Sequence, residues 1–97
     1  MHEAASRLAD GKPQLLLLRG RRICLIRSGD EIFAIQDSCT HSGEPLSKGS
    51  TNYLGEVVCP GHGYCFSPKT GREAQERSSD LETFPVRADD SGVYVSV

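Results

Sequence analysis

Apolar positions along this chain come in short bursts, divided by glycine, proline and polar turns, and most of the bursts alternate. Residues 14–19 and 22–27 are separated by Gly20-Arg21, and the second burst contains Ile23, Leu25 and Ile26. They predict the two strands of a hairpin. After the turn Ser28-Gly29-Asp30, residues 31–36 set Ile32, Ala34 and Gln36 against Phe33 and Ile35, extending the hairpin to a three-stranded antiparallel meander. Residues 54–58 and 64–66 predict two further strands, the second ending at the turn Ser67-Pro68-Lys69-Thr70-Gly71. Residues 83–87 and 93–97 predict a closing hairpin around Asp89-Asp90-Ser91-Gly92. Residues 72–80 read as loop or a single turn. The pattern predicts an all-β antiparallel sandwich or barrel, one domain over residues 1–97.

Residues 37–53 fit neither period. They form a long Gly/Ser/Pro-containing excursion holding Cys39 and His41, and the next excursion, residues 59–71, holds Cys59 and His62. Long loops in a small domain tend to be where function sits.

Composition narrows the chemistry. The chain has 97 residues, is 37 % hydrophobic and has no Trp, so a metal or disulfide is expected to supplement a thin core. The longest aliphatic run is Leu15 to Leu18, too short to cross a bilayer, and residues 1–10 carry Glu3, Arg7 and Asp10 with no apolar stretch, unlike a secretory signal. A net charge of −2 argues against nucleic acid as a partner. The charge is unevenly spread: residues 1–29 hold six basic side chains against two acidic, a net +4, and residues 30–97 hold five against eleven, a net −6. This reads as solvated surface, with a dipole that could orient the protein towards a charged partner as the alternative.

Soft metal ligands must come from four Cys and three His. Four of these seven residues form two pairs, Cys39-Thr40-His41 and Cys59-Pro60-Gly61-His62, with 17 residues between them. Two Cys and two His suit zinc or an iron–sulfur centre. A zinc finger usually pairs Cys with Cys and His with His. Here each loop supplies one of each, which suits a binuclear cluster with both Cys on one iron and both His on the other. A zinc-stabilised interaction module stays open beside it. Cys24 reads as a core residue, Cys65 as core or as a thiol beside the site, and His2 as part of a flexible terminus.

With these residues in place, the sequence resembles the Rieske [2Fe–2S] proteins, whose pattern is C-x-H, a spacer, then C-x-x-H. His62-Gly63, Phe66, Thr70-Gly71, Phe33-Ala34-Ile35, Phe84-Pro85-Val86 and Val93-Tyr94-Val95 extend the likeness over nearly the whole chain. The resemblance implies a Rieske-type β-sandwich with a two-loop cluster-binding subdomain, and Cys39, His41, Cys59 and His62 as ligands of a [2Fe–2S] cluster. Gly43, Gly61 and Gly63 would let backbone amides approach the sulfurs. With Ser42, Pro60 and Tyr64 they would form an uncharged docking tip around exposed imidazole edges.

Within the family the chain is most similar to the ferredoxins of multicomponent oxygenases. The Rieske subunits of membrane cytochrome complexes carry a disulfide between their cluster loops; Glu44 and Gly61 stand at those positions here. Tyr64 and Phe66 stand where those subunits place a Ser and a Tyr hydroxyl near the cluster. This implies a potential near the low end of the Rieske range, roughly −150 mV. A third loop, proline-bearing in many relatives, has no proline here before Pro85, which leaves its cover over the site open. The expected protein is a cytoplasmic, monomeric one-electron carrier without substrate chemistry of its own. It would take electrons from a flavin-dependent reductase and pass them to a terminal oxygenase. The alternative within the family is the small subunit of a larger reductase such as nitrite reductase.

Overall fold

A computed structural model describes residues 2–3, 11–28, 31–61, 63–89 and 92–96. Ten short strands occur among them: β1 (His2–Glu3), β2 (Gln14–Leu18), β3 (Arg21–Ser28), β4 (Glu31–Gln36), β5 (Ser50–Thr51), β6 (Val57–Val58), β7 (Cys65–Phe66), β8 (Thr83–Phe84), β9 (Val86–Asp89) and β10 (Gly92–Val95). A single 3-10 turn, Leu46–Lys48, lies between β4 and β5. The strands make three antiparallel sheets, ordered β2-β3-β4-β8, β1-β10-β9 and β5-β6-β7.

The meander lies where the alternation placed it. The turn between β2 and β3 is shifted by one residue: Leu18 pairs with Arg21, so Arg19 and Gly20 make the turn. Both have positive φ, 52° and 76°. That is the turn geometry matching the twist of a two-residue hairpin. The last predicted hairpin differs more. Residues 83–87 are two strands, with Pro85 at the break: β8 pairs with β4, and β9 pairs with β10. Proline brings no amide hydrogen to a ladder, and the chain changes sheets there. The predicted strand at 54–58 is reduced to Val57–Val58, because the Asn52 side chain accepts the amides of Leu54 and Glu56, both at 3.0 Å, and holds the preceding residues in a turn. β5 falls inside the excursion predicted to be irregular. His2, expected in a flexible terminus, lies in β1 opposite Val95. Two predicted turn segments, Gly29-Asp30 and Asp90-Ser91, lie outside the described residues.

Strand β3 is the centre of the molecule. Four successive residues, Ile23 to Ile26, are buried, so both of its faces are covered. Ile23 and Leu25 pack with Leu18, Ala34, Phe84, Val93 and Val95 on the side of β9 and β10. Cys24 and Ile26 pack on the opposite side with Ile35, Leu46, Val57, Phe66 and Leu81, and with Cys39 and Cys59. Each large aliphatic side chain so buried contributes about 1.5–3 kcal/mol. The second cluster carries the two excursions.

Candidate metal centre

The first excursion leaves β4 at Asp37, whose carboxylate is buried and pins the loop's neck. It accepts the Ser47 amide at 2.8 Å and the Arg22 Nε at 3.2 Å, while the Asp37 carbonyl accepts the Leu46 amide at 2.5 Å. Inside that neck, the Cys39 amide donates to Glu44 at 2.9 Å and the Gly43 amide donates back to Cys39 at 2.7 Å. The second excursion closes alike. The Cys59 amide donates to Tyr64 at 2.8 Å, and the Gly63 amide donates to Cys59 at 3.2 Å.

The two loops face each other. The Ser42 hydroxyl lies 3.6 Å from the Cys59 Sγ. A Cβ built on Gly61 would sit 3.1 Å from the Glu44 Cγ, 3.4 Å from the Ser42 hydroxyl and 3.8 Å from the Cys59 Sγ. Glu44 and Gly61 are therefore neighbours across the gap, as their resemblance to the disulfide positions implies. The expected uncharged tip has the Glu44 carboxylate at its rim.

Burial divides the set by chemistry. Cys39 and Cys59 are buried, whereas His41, Ser42, Gly43, Pro60, Gly61 and Gly63 are exposed and Tyr64 is half-buried. The His41 amide donates to the Cys39 Sγ at 3.4 Å. His62 lies outside the described residues. Among the described residues no three His, Cys, Asp or Glu side chains gather as the shell of one metal ion. The donor chemistry present, buried thiols and an exposed imidazole on paired loops, fits a [2Fe–2S] cluster.

The other two cysteines are free thiols. Cys24 packs as expected, and burial pushes its pKa up to about 12, with the Asp37 carboxylate adding to the rise. Cys65 is only half-buried and donates to the Gly63 carbonyl at 3.4 Å. Its neighbour Phe66 supplies the packing and, fully buried, offers no hydroxyl to a sulfur.

The proline-poor third segment is held by polar contacts instead. Thr40 donates its hydroxyl to the Ser79 carbonyl at 2.6 Å and lies 3.1 Å from the Ser78 hydroxyl. Arg77 lies over the Tyr64 ring, 3.9 Å from its centroid. Tyr64 in turn stacks on His41, with centroids 3.9 Å apart and planes 15° from parallel. Glu73, with no solvent exposure, receives Arg77 through Nε at 3.0 Å and Nη2 at 2.9 Å. It also accepts the amides of Cys65, Gln75 and Arg77. The Arg77 hydrogen bonds hold its carboxyl pKa down at about 2. Sequence reasoning missed Asp37, Thr40, Glu73 and Arg77. The i,i+4 spacing of Glu73 and Arg77 is the only local signal for any of them.

Paired Cys/His loops set on a small antiparallel β-fold define an iron–sulfur electron-transfer domain. The chain belongs to the Rieske [2Fe–2S] domain family, which it matches over residues 1–85. Its cofactor is a [2Fe–2S] cluster and its role is that of an electron carrier. It is 33 % identical over 76 residues to the ferredoxin subunit of 3-phenylpropionate/cinnamic acid dioxygenase from Shigella boydii serotype 4 (strain Sb227), covering 77 % of this chain and 72 % of that one. Its fold is similar to the ferredoxin of carbazole 1,9a-dioxygenase from Nocardioides aromaticivorans IC177, with a TM-score of 0.90 at 25 % identity, covering 98 % and 95 % of the two chains. A chain in a complex of reduced oxygenase and oxidised ferredoxin of carbazole 1,9a-dioxygenase gives 0.84 at 30 %, covering 98 % of each. A structure described as the small subunit of a nitrite reductase gives 0.80 at 26 %, covering 93 % and 89 %. Among the described residues no helix is long and apolar enough to cross a membrane.

Proposed function

We propose that this protein is the ferredoxin of a multicomponent oxygenase, with Cys39, His41, Cys59 and His62 holding its cluster. When bound, the cluster stores and releases one electron. The observation that carries the reading is the division at the loop tips: Cys39 and Cys59 lie in the core while His41 lies at the surface. Buried thiols keep water from the sulfur end, and an exposed imidazole edge gives a partner a short path for the electron. The rim of small residues, Ser42, Gly43, Gly61 and Gly63, allows close approach. A small tip suits brief docking with a flavin-dependent reductase and then with a terminal oxygenase.

The chain performs no substrate chemistry in this reading. An oxygenase iron needs two His and a carboxylate, and with His41 and His62 committed only His2 remains. The small subunit of a nitrite reductase is the second reading, favoured by the structural likeness at 26 % identity. Members of that group often lack the ligands, and all four are in this sequence.

Electron paramagnetic resonance of the dithionite-reduced protein tests the ligand set. A rhombic Rieske-type signal is expected, altered in His41→Cys or His62→Cys, each of which leaves three Cys and one His, and replaced by that of an all-Cys cluster only in the double variant. Colourless, zinc-containing, silent protein would overturn the reading. Transfer from the reduced protein to an oxygenase but not to a nitrite reductase separates the two settings.

A further inference from the structure

An imidazole on an exposed loop turns freely about two side-chain bonds unless something holds its plane. Here a file of side chains runs from the interior to that ring. Glu73 is buried and its carboxylate accepts five donors. Two of them form a fork from Arg77, one nitrogen on each carboxylate oxygen, a geometry that fixes the guanidinium plane. The guanidinium lies 3.9 Å from the centroid of Tyr64, well inside cation–π range. Tyr64 stacks on His41 at 3.9 Å and 15°. The same segment is fastened to the first loop by Thr40, between the two ligands of that loop, through Ser78 and Ser79.

We infer that Arg77 is a positioning residue for His41, acting through Tyr64. The inference rests on His41 being an iron ligand. Glu73 fixes Arg77, Arg77 presses the Tyr64 ring, and that ring sets the plane of the imidazole. The third segment, without proline before Pro85, thereby orders the site from the side of the first histidine. Stacking uses the ring face of Tyr64 and not its hydroxyl, so phenylalanine serves at this position and an aliphatic residue does not.

The test is pulsed electron paramagnetic resonance of the reduced holoprotein, which reads the ¹⁴N couplings of the two imidazoles, with thermal stability measured alongside. In Arg77→Ala and in Tyr64→Leu the coupling of one nitrogen is expected to shift and broaden while the other keeps its wild-type value. Tyr64→Phe is expected to keep both. A merely structural role would lower the melting temperature of Arg77→Ala and leave both couplings unchanged, and that result would overturn the inference. So would a Tyr64→Phe variant as altered as Tyr64→Leu. Should Arg77→Ala fail to fold, Tyr64→Leu leaves the pair with Glu73 in place and carries the same test. A wild-type protein without two imidazole couplings would overturn the ligand set itself, and this inference with it.

Discussion

Gly43 and Gly63 hold equivalent places in the two loops. Each donates its amide to the cysteine four residues before it, and each has positive φ, 75° and 73°. The loops thus share one closure although the histidine stands two residues after the cysteine in the first and three in the second. Neither glycine has an atom near the place of a Cβ. Gly43→Ala and Gly63→Ala should therefore each cost about 1–2 kcal/mol, from backbone strain alone. Denaturant titration of the holoprotein checks this; a loss well above that range would mean the glycines matter for space as well.

Glu44 and Gly61 face each other closely enough to be joined. The 3.1 Å between a Gly61 Cβ and the Glu44 Cγ matches the roughly 3 Å that disulfide geometry sets between one Cβ and the partner's sulfur. The double variant Glu44→Cys/Gly61→Cys should close a disulfide in mild oxidant, raising stability by about 3 kcal/mol. Mass spectrometry would show the loss of two hydrogens, and two persistent free thiols would refute it.

Ser42 lies across the gap from the sulfur of Cys59. A hydroxyl donating to a cysteinyl sulfur favours the reduced, more negative state. Ser42→Ala should lower the potential by up to about 40 mV, the one-electron equivalent of a hydrogen bond worth about 1 kcal/mol. Wild-type protein is itself expected near the low end of the Rieske range, about −150 mV. Voltammetry of the two proteins measures both values.

The Glu73 carboxyl, held down at about 2 by Arg77, links stability to acid. A depressed folded-state value means the carboxylate stabilises the fold fully above its unfolded value of about 4.3. That contribution is lost as pH falls from there towards 2. Between pH 5 and 2.5 the wild type should lose more stability than Glu73→Gln, whose side chain has no proton to bind. Parallel acid profiles would show that Glu73 is not the group responsible.

Cys24 should resist alkylation. Its thiol is buried and its pKa is pushed up to about 12, so almost no thiolate forms at pH 8. Iodoacetamide on the native holoprotein should modify the half-buried Cys65 and spare Cys24 until denaturant is added. Peptide mapping distinguishes the two.

The meander was legible because its signals are local: apolar runs parted by Gly20-Arg21 and Ser28-Gly29-Asp30, with alternation over residues 31–36, mark three strands. The two faces of β3, by contrast, are seen only in the packing. The paired ligand motifs were legible because their spacing is chemical and local. What lay beyond reach depends on contacts between distant segments. The i,i+4 spacing hints that Glu73 pairs with Arg77, but nothing near Glu73 indicates that its carboxylate is buried and also accepts the Cys65 amide. Nothing near Thr40 points to Ser79. Pro85 was visible as a residue, but its effect, sending β8 and β9 into different sheets, is a property of the partners that each half finds. The third segment shows in sequence only the prolines it lacks, and its polar fastening has no such signature.

The two-faced burial of β3 gives the chain a useful parity. Odd-numbered residues 23 and 25 look toward the half that only folds, and even-numbered residues 24 and 26 look toward the half that also carries the thiols. Substitutions one residue apart in this strand can thus separate the requirements of folding from those of electron transfer.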